Sequence, residues 1–267
     1  MKFIKNSLRK IMYGLLYKQL SQENFLRLLQ RGYFLAYRLR LLKFSSIYKY
    51  HYFSKKLINK GDTILDIGAN LGYYSILFAK WTGKTGNVHA VEPVKVFNKI
   101  FMEKAKKYPT ITLYSCALGS EEKTIELVLP ATGYLRTGLP HVYDSEKDGK
   151  IENQQFVFES DMKRPSTLFN NLEKIDYIKC DIEGFEHVVL ADMQELIRKH
   201  KPKIQVEVWG DNEAKVLALF KELGYSPYKL HKSKLMLQND VNIKETGDYI
   251  FLHDSDLVIN SKKYIVQ

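Results

Sequence analysis

The stretch Gly61-Asp-Thr-Ile-Leu-Asp-Ile-Gly-Ala-Asn-Leu-Gly72 decides how this chain folds. An apolar run from Thr63 to Ile67 ends in a Gly-x-x-x-Gly loop, Gly68 to Gly72. Apolar residues at helical spacing follow at once: Leu71, Tyr74, Ile76, Leu77 and Phe78. The order is strand, tight glycine loop, helix. Glycine has no Cβ, so such a loop turns sharply and lets backbone lie against a ligand. This pattern predicts a loop that holds a nucleoside cofactor, with the rest of the chain built around it.

Working outward, apolar runs alternate with helical patterns. Strands are predicted at 63–67, 87–92, 111–115, 175–181 and 203–209, and helices at about 71–81, 94–107, 186–200 and 213–223. That alternation predicts an α/β fold, a mostly parallel sheet with helices on both faces. Strands such as Tyr177-Ile178 are apolar throughout, as strands buried on both faces should be. Two further strands, 124–129 and 155–159, flank a loop at 130–154 rich in Gly, Pro and charge. Strands at 225–230 and 248–253 close the chain. The expected organisation is a helical extension over 1–60 and a catalytic domain over 61–267. Inserted strands and a lid loop interrupt that domain around 121–160.

Four constellations carry chemistry. The first joins the glycine loop to two acids, Asp66 near the end of its strand and Glu92 about twenty residues beyond the loop. A carboxylate at that second position can accept hydrogen bonds from ribose hydroxyls. The loop is not Gly-x-Gly-x-x-Gly, the spacing suited to a pyrophosphate. S-adenosyl-L-methionine has no phosphate. Its carboxylate and ammonium need a backbone N–H and carbonyl or acidic acceptors, which Asp66, Gly68 and Asn70 can supply. A plain strand-to-helix turn with Asn70 as helix cap is the structural alternative.

The second is Lys179-Cys-Asp-Ile-Glu-Gly-Phe-Glu-His187, three acids around a glycine at the end of an apolar strand. In open α/β sheets ligands bind outside the carboxyl ends of strands. Asp181 and Glu183 are therefore placed to orient a substrate hydroxyl and take its proton. Glu186 would otherwise decorate a helix N-terminus, and His187 a helix surface. The third is Glu207 with Asp211 and Asn212. Glu207 interrupts a strand that should be buried, so it is either paired or lines the site. Asp211 or Asn212 would cap the next helix. Alternatively, Asp181, Asp211 and Asn212 form an oxygen-ligand metal site. The fourth is the 130–154 loop, where Tyr134, Arg136 and His141 could grip a polar or anionic substrate as part of a lid, a disordered insertion being the alternative.

Charge is unevenly placed. Residues 1–60 hold 14 Lys and Arg against one acid, Glu23, while the remainder holds 27 bases and 29 acids. The basicity belongs to the N-terminal segment, which argues against nucleic acid as partner of the catalytic part. Residues 2–20 place Phe3, Ile4, Leu8, Ile11, Met12, Leu15, Leu16 and Leu20 on one helical face, with lysines and arginines mostly on the other. A second helix, capped by Ser21, would run through Phe25, Leu28, Leu29, Tyr33, Phe34 and Tyr37. Peripheral membrane association through residues 1–20 and a helical cap packed on the domain both fit this pattern. No run of about 18 apolar residues occurs, so no spanning helix is expected. Lys5, Arg9, Lys10 and Lys18 break the apolar core that a cleavable leader needs. Cys116 and Cys180 lie in apolar runs and read as buried reduced thiols, which points to the cytoplasm. The sequence names no oligomeric partner.

The motifs Leu65-Asp-Ile-Gly-Ala-Asn-Leu-Gly-Tyr-Tyr-Ser75, Val91-Glu-Pro93, Ala117-Leu-Gly119, Ile178-Lys-Cys-Asp-Ile-Glu-Gly-Phe-Glu186 and Gln205-Val-Glu207 resemble the FkbM-type family of S-adenosylmethionine-dependent methyltransferases. The resemblance covers about residues 60–253. It implies a Rossmann-like class I methyltransferase: a seven-stranded sheet with one antiparallel strand, and methyl transfer to a hydroxyl. It further implies that Asp66, Gly68, Asn70 and Gly72 hold the amino-acid end of the cofactor, Glu92 the ribose, and Cys116 and Ala117 the adenine. Asp181, Glu183 and Glu207 are the candidate catalytic residues. The expected acceptor is a saccharide of a bacterial surface glycan or glycolipid, met in the cytoplasm or at the inner face of the membrane. A divalent-metal-dependent O-methyltransferase and an RNA methyltransferase using the basic N-terminus are the alternatives, with a non-catalytic cofactor-binding protein a third. The loop spacing disfavours a nicotinamide oxidoreductase.

Overall fold

The computed structural model describes residues 19–130, 141–142, 155–238, 247–255 and 265. The first helix, α1 (Gln22–Arg38), begins at Ser21, whose hydroxyl accepts the Asn24 N–H at 3.4 Å. Glu23 in its first turn complements the helix dipole. The helix buries Phe25, Leu26, Gln30, Tyr33 and Phe34. Leu28, expected on that face, is instead exposed. A short helix α2 (Lys49–Phe53) follows. Residues 1–18, with their proposed lipid-facing stripe, lie outside the described residues.

The glycine stretch folds as its pattern predicts. Strand β1 (Thr63–Ile67) is buried throughout and leads through the loop into α3 (Tyr73–Thr82). The units β2 (Asn87–Val91), α4 (Lys95–Ala105) and β3 (Ile111–Tyr114) extend the sheet to one side. The chain then makes β4 (Ala117–Leu118), β5 (Lys123–Pro130), β6 (His141–Val142) and β7 (Gln155–Lys163), which form a separate sheet in the order β4-β7-β5-β6. This is the insertion expected around 121–160. The remainder of its loop lies outside the described residues, and with it Tyr134 and Arg136. His141 falls in β6, whose backbone pairs with Val128.

After α5 (Pro165–Leu168) the chain returns to the other side of β1 with β8 (Tyr177–Cys180) and β9 (Lys203–Glu207). The helix expected over 186–200 is two, α6 (Glu186–Asp192) and α7 (Gln194–His200). The break falls at Met193, which has ψ near 0° and a fully buried side chain. Helix α8 (Asp211–Glu222) precedes β10 (Tyr225–His231), β11 (Lys234–Leu237) and β12 (Asp248–His253). The main sheet has eight strands in the order β11-β10-β12-β9-β8-β1-β2-β3. Seven of them reproduce the expected arrangement: β12 alone runs against its neighbours β9 and β10. The eighth, β11, adds a hairpin at the edge.

Side chains from alternate strand positions feed two cores. Leu65, Ile67, Ile178, Ile204 and Val206 pack with α6, α7 and α8 residues such as Val189, Ile197 and Phe220. Ile64, Tyr177 and Ile250 pack on the other face with Tyr50, Phe53, Tyr74 and Phe78. That second face also holds a buried amide, Gln205. It accepts the Ser54 and Tyr177 hydroxyls at 2.8 and 3.0 Å and donates to the Tyr74 hydroxyl at 3.1 Å. Helix α1 is stitched to α4 by Arg27, whose guanidinium donates to both Glu103 oxygens. Beneath it, Gln30 donates to the Leu71 and Ile100 carbonyls at 2.8 and 3.2 Å. Among the described residues no helix is long and apolar enough to cross a membrane.

The chain switches direction across the sheet between β1 and β8, and there the two strand ends nearly touch. Gly68 has φ +81°, and a Cβ on it would collide with the Asp181 carbonyl. Gly83 shares a positive φ, +73°, but a Cβ there would meet nothing within 4 Å. Gly68→Ala should therefore combine backbone strain with a clash against main chain, costing about 3 kcal/mol or more. Gly83→Ala, with φ +73° and ψ −160° but no clash, should incur only the backbone strain, about 1–3 kcal/mol. Urea unfolding of the two variants checks the difference; equal losses would mean the strand ends can separate freely.

Candidate active site

At the switch point a cleft opens above the sheet. Its walls are Ile67, Gly68 and Asn70 from the glycine loop, Val91, Glu92 and Pro93 from the end of β2, and Cys116, Ala117 and Leu118 around β4. Leu127 of β5 and Asp181, Ile182, Glu183 and Phe185 beyond β8 complete them. Counting the solvent in its open mouth, the cleft spans about 650 Å³.

The glycine loop keeps its own N–H groups occupied. Gly68 and Ala69 both donate to the Val91 carbonyl, at 3.0 and 2.9 Å, and Gly72 donates to Ala69 at 2.8 Å. Asn70 donates to Glu92 Oε2 at 2.8 Å, and Leu71 to Asn70 Oδ1 at 2.7 Å. A pyrophosphate needs a cradle of available N–H groups at this place, and these five are spent. Asn70 is not the cap of α3: it takes a left-handed φ of 51°, and Gly72 stands at the cap position. The expectation that the loop also offers a backbone N–H to the ligand is corrected by the same bonds. Gly68 and Asn70 are on the wall, but Asp66 and Gly72 are behind it. Asp66 is fully buried and its Oδ2 accepts the Ser75 hydroxyl. Gly72 exists because a Cβ would run into the Phe101 ring. Both shape the loop from beneath.

Glu92 is buried at the end of β2. Its two oxygens accept the Asn70 and Val94 N–H groups at 2.8 and 2.9 Å. Burial outweighs these bonds and pushes its carboxyl up to about 7. Each oxygen keeps a further lone pair for a hydroxyl of a ligand in the cleft. Cys116 and Ala117 supply small apolar surface to the cleft wall. Burial pushes the Cys116 thiol up to about 11, so it is a packing group.

The acid loop is held in an uncommon conformation. Glu183 has φ +55° and Gly184 φ +109°. Glu186 reaches back to fix it, accepting the Ile182 N–H at 3.0 Å and the Gly184 N–H at 3.1 Å. From the far side Asn212 donates to the Gly184 carbonyl. Glu186 is thus a clamp for the turn that presents Glu183. Burial, and then the charges of Asp181, Glu207 and Glu186, push the Glu183 carboxyl up to about 7. Asn212 commits its amide Nδ2–H to the turn, and Asp211 is the first residue of α8. Among the described residues no group of three or more His, Cys, Asp or Glu is placed to hold a metal ion.

Behind the wall sits a residue that sequence reasoning passed over. Lys179 is almost fully buried on β8, in register with Asp66 and Gln205. Its ammonium lies 3.0 Å from Asp181 Oδ2 and over the Tyr74 ring, 4.9 Å from its centre. Burial opposes its charge, but Asp181 and Asp66 outweigh this and keep it protonated. Glu207 belongs to the same group: it does not line the cleft, accepts the Trp209 N–H at 3.3 Å, and is paired across the strands with Asp248. The residue opposite it is another acid, so this strand pairing supplies no counter-charge; the compensating charge nearby is Lys179. Asp248 was also missed; burial, then Glu207 and Asp181, push it up to about 7. The available signal was the two-residue spacing of Lys179 from Tyr177 and Asp181, which puts a lysine inside a buried strand.

Glu92, Glu183 and Asp248 all bind a proton more tightly in the folded chain than their ordinary values of 4.5, 4.5 and 3.8. Between those values and about pH 7 the folded state holds more protons than the unfolded one, so these groups lower stability as pH rises through that window. Above it their effect is constant. Urea unfolding across the window should show this fall, and a shallower one in Glu92→Gln. An unchanged slope in that variant would mean Glu92 is ionised throughout.

A methyltransferase FkbM from Methylobacillus flagellatus is similar in structure over 77% of this chain and 48% of its own, at 16% identity and a TM-score of 0.51. The chain therefore spans about half the length of that protein, and the likeness concerns the fold. An S-adenosylmethionine-dependent O-methyltransferase from Thermotoga maritima covers 75% of this chain and 62% of its own, at 15% identity and a TM-score of 0.39. Fibrillarin from Aeropyrum pernix, solved with bound S-adenosyl-L-methionine, covers 73% and 68% at 11% identity and a TM-score of 0.42. No curated protein matches the sequence. The family model described as the methyltransferase FkbM domain matches residues 66–227, more than half of the chain, and the chain belongs to that family.

Proposed function

We propose that the protein is an S-adenosylmethionine-dependent O-methyltransferase whose acceptor is a hydroxyl of a saccharide, in a bacterial surface glycan or glycolipid. The observation that carries the reading is Glu183. A carboxyl pushed up to about 7 stands on the cleft wall beside Asp181 and opposite Glu92. A general base works best with a proton affinity near the working pH.

The donor set fits the cofactor. Glu92 accepts from vicinal ribose hydroxyls, and Ile67, Val91, Cys116 and Ala117 enclose an apolar base. The spent N–H groups of the loop suit a ligand without phosphate. When bound, S-adenosylmethionine supplies an electrophilic methyl on a sulfonium. Asp181, oriented by Lys179, accepts a hydrogen bond from the acceptor hydroxyl and aims it. Glu183 would take the hydroxyl proton on attack, the S–CH3 bond breaking as the C–O bond forms and S-adenosylhomocysteine leaving. Much of the acceleration comes from holding the two reactants in line.

The same carboxylates bear on the acceptor. Asp181 and Glu183 on the cleft wall, with Glu186 clamping the turn behind them, make one end of the cleft acidic, which disfavours phosphodiesters and favours a neutral polyol. This supports a saccharide over RNA.

The test supplies purified protein with S-adenosylmethionine and glycans or glycolipids from cells lacking the gene, and follows S-adenosylhomocysteine and a mass gain of one methylene. Wild-type kcat should rise with pH through about 7, as Glu183 loses its proton. Glu183→Gln should lower kcat by about 10²–10⁴-fold and abolish that rise. Methylation of RNA instead of glycan, or an unaltered pH profile in Glu183→Gln, would overturn the assignment.

A further inference from the structure

Helix α1 has a second apolar stripe. Its packed residues, Phe25, Leu26, Gln30, Tyr33 and Phe34, occupy one side. Leu28, Leu35 and Leu39 are spaced by seven and four residues, which stacks them along the opposite side. They are 43%, 58% and 56% exposed. The chain then turns at Arg40, which takes a left-handed φ of 60°. Two single-turn helices follow, over Leu41–Phe44 and Ser46–Tyr48. In such turns residues three apart eclipse one another, so Leu41 and Phe44 form a second row, which Ile47 follows in the next turn beyond the extended Ser45. Phe44 is 92% exposed and Ile47 66%. All but two of the exposed large apolar side chains of the described residues are in these two rows.

The surrounding charge is of one sign. Nine Lys and Arg and no acid occur between residues 24 and 61. Arg31, Arg38, Arg40 and Lys43, interleaved with the two rows, are exposed. Long cationic side chains beside exposed leucine and phenylalanine match a surface that is apolar inside and anionic outside. A second copy of this chain would bring like charges together, which disfavours self-association. A nucleic acid would engage the cations but leave the leucines and Phe44 without a partner.

We infer that the corner formed by the C-terminal end of α1 and residues 41–47 docks on an anionic bilayer, with Leu35, Leu39, Leu41, Phe44 and Ile47 entering the acyl boundary and Arg31, Arg38, Arg40 and Lys43 meeting the headgroups. This surface is separate from the stripe read in residues 2–20. It does not depend on the identity of the methyl acceptor. The opposite side of the same helix touches the cofactor loop through Gln30.

The full chain is sedimented with vesicles of phosphatidylcholine containing about one-third phosphatidylglycerol, and with vesicles of phosphatidylcholine alone. Binding is expected on the first, weakened by salt, and at least tenfold weaker on the second. Phe44→Glu/Ile47→Glu should lower affinity for the anionic vesicles by at least tenfold. Because both positions are exposed, its thermal unfolding should match the wild type. Undiminished binding of the double variant would overturn the inference and assign any membrane affinity to other residues. So would a wild-type dimer that the double variant dissociates, which would identify a second copy as the occupant.

Discussion

Lys179 stands on β8 between β1 and β9, level with Asp66 on one side and Gln205 on the other, and its ammonium reaches Asp181 beyond the strand end. A buried ammonium is tolerable only when paired, and buried carboxylates only when balanced. Here one cation serves Asp66, Asp181 and Glu207 together. That shared counter-charge lets three acids converge at the carboxyl end of a parallel sheet. It also separates their roles. Asp181 takes a hydrogen bond from the ammonium at the cleft, Asp66 stabilises the loop from below, and at Glu183 burial and the neighbouring acids outweigh the ammonium and push the carboxyl up to about 7.

The glycine loop shows the other side of the same economy. Its N–H groups are turned inward, to Val91, Glu92 and its own residues, and not toward the cleft. A dinucleotide fold leaves such groups available for phosphate. In this chain Glu92 does double service, closing the loop and facing the ligand. The positive φ of Gly68 brings the loop against Asp181, so the cofactor side and the acceptor side of the cleft share a wall.

Much of this was legible in the sequence because period and punctuation were strong. Thr63–Ile67 followed by Gly68 and Gly72 could hardly be anything but strand, turn and helix, and Glu92, Asp181 and Glu183 fall at strand ends. What was not legible depended on partners distant in sequence. Asp66 and Gly72 looked like ligand contacts, but Ser75 and Phe101 claim them. Glu186 looked like helix decoration, yet its carboxylate folds back on the turn before it. Glu207 and Asp248 meet only through strand pairing. Lys179 was in plain view within a quoted motif; its role emerges once register sets it beside Asp66. The division at Met193 had no periodic signature, since Val189, Leu190 and Ile197 suit one long helix equally well.

Gln30 has a consequence for where this protein begins as a physical object. Its amide reaches two carbonyls, Leu71 in the glycine loop and Ile100 in α4, from a helix that precedes the family-defining segment by some thirty residues. A chain cut back to residue 61 would keep every motif and lose that donor, together with the apolar face that keeps water from the same carbonyls. Recognition and self-sufficiency therefore have different boundaries here. The part that names the family is shorter than the part that can stand alone.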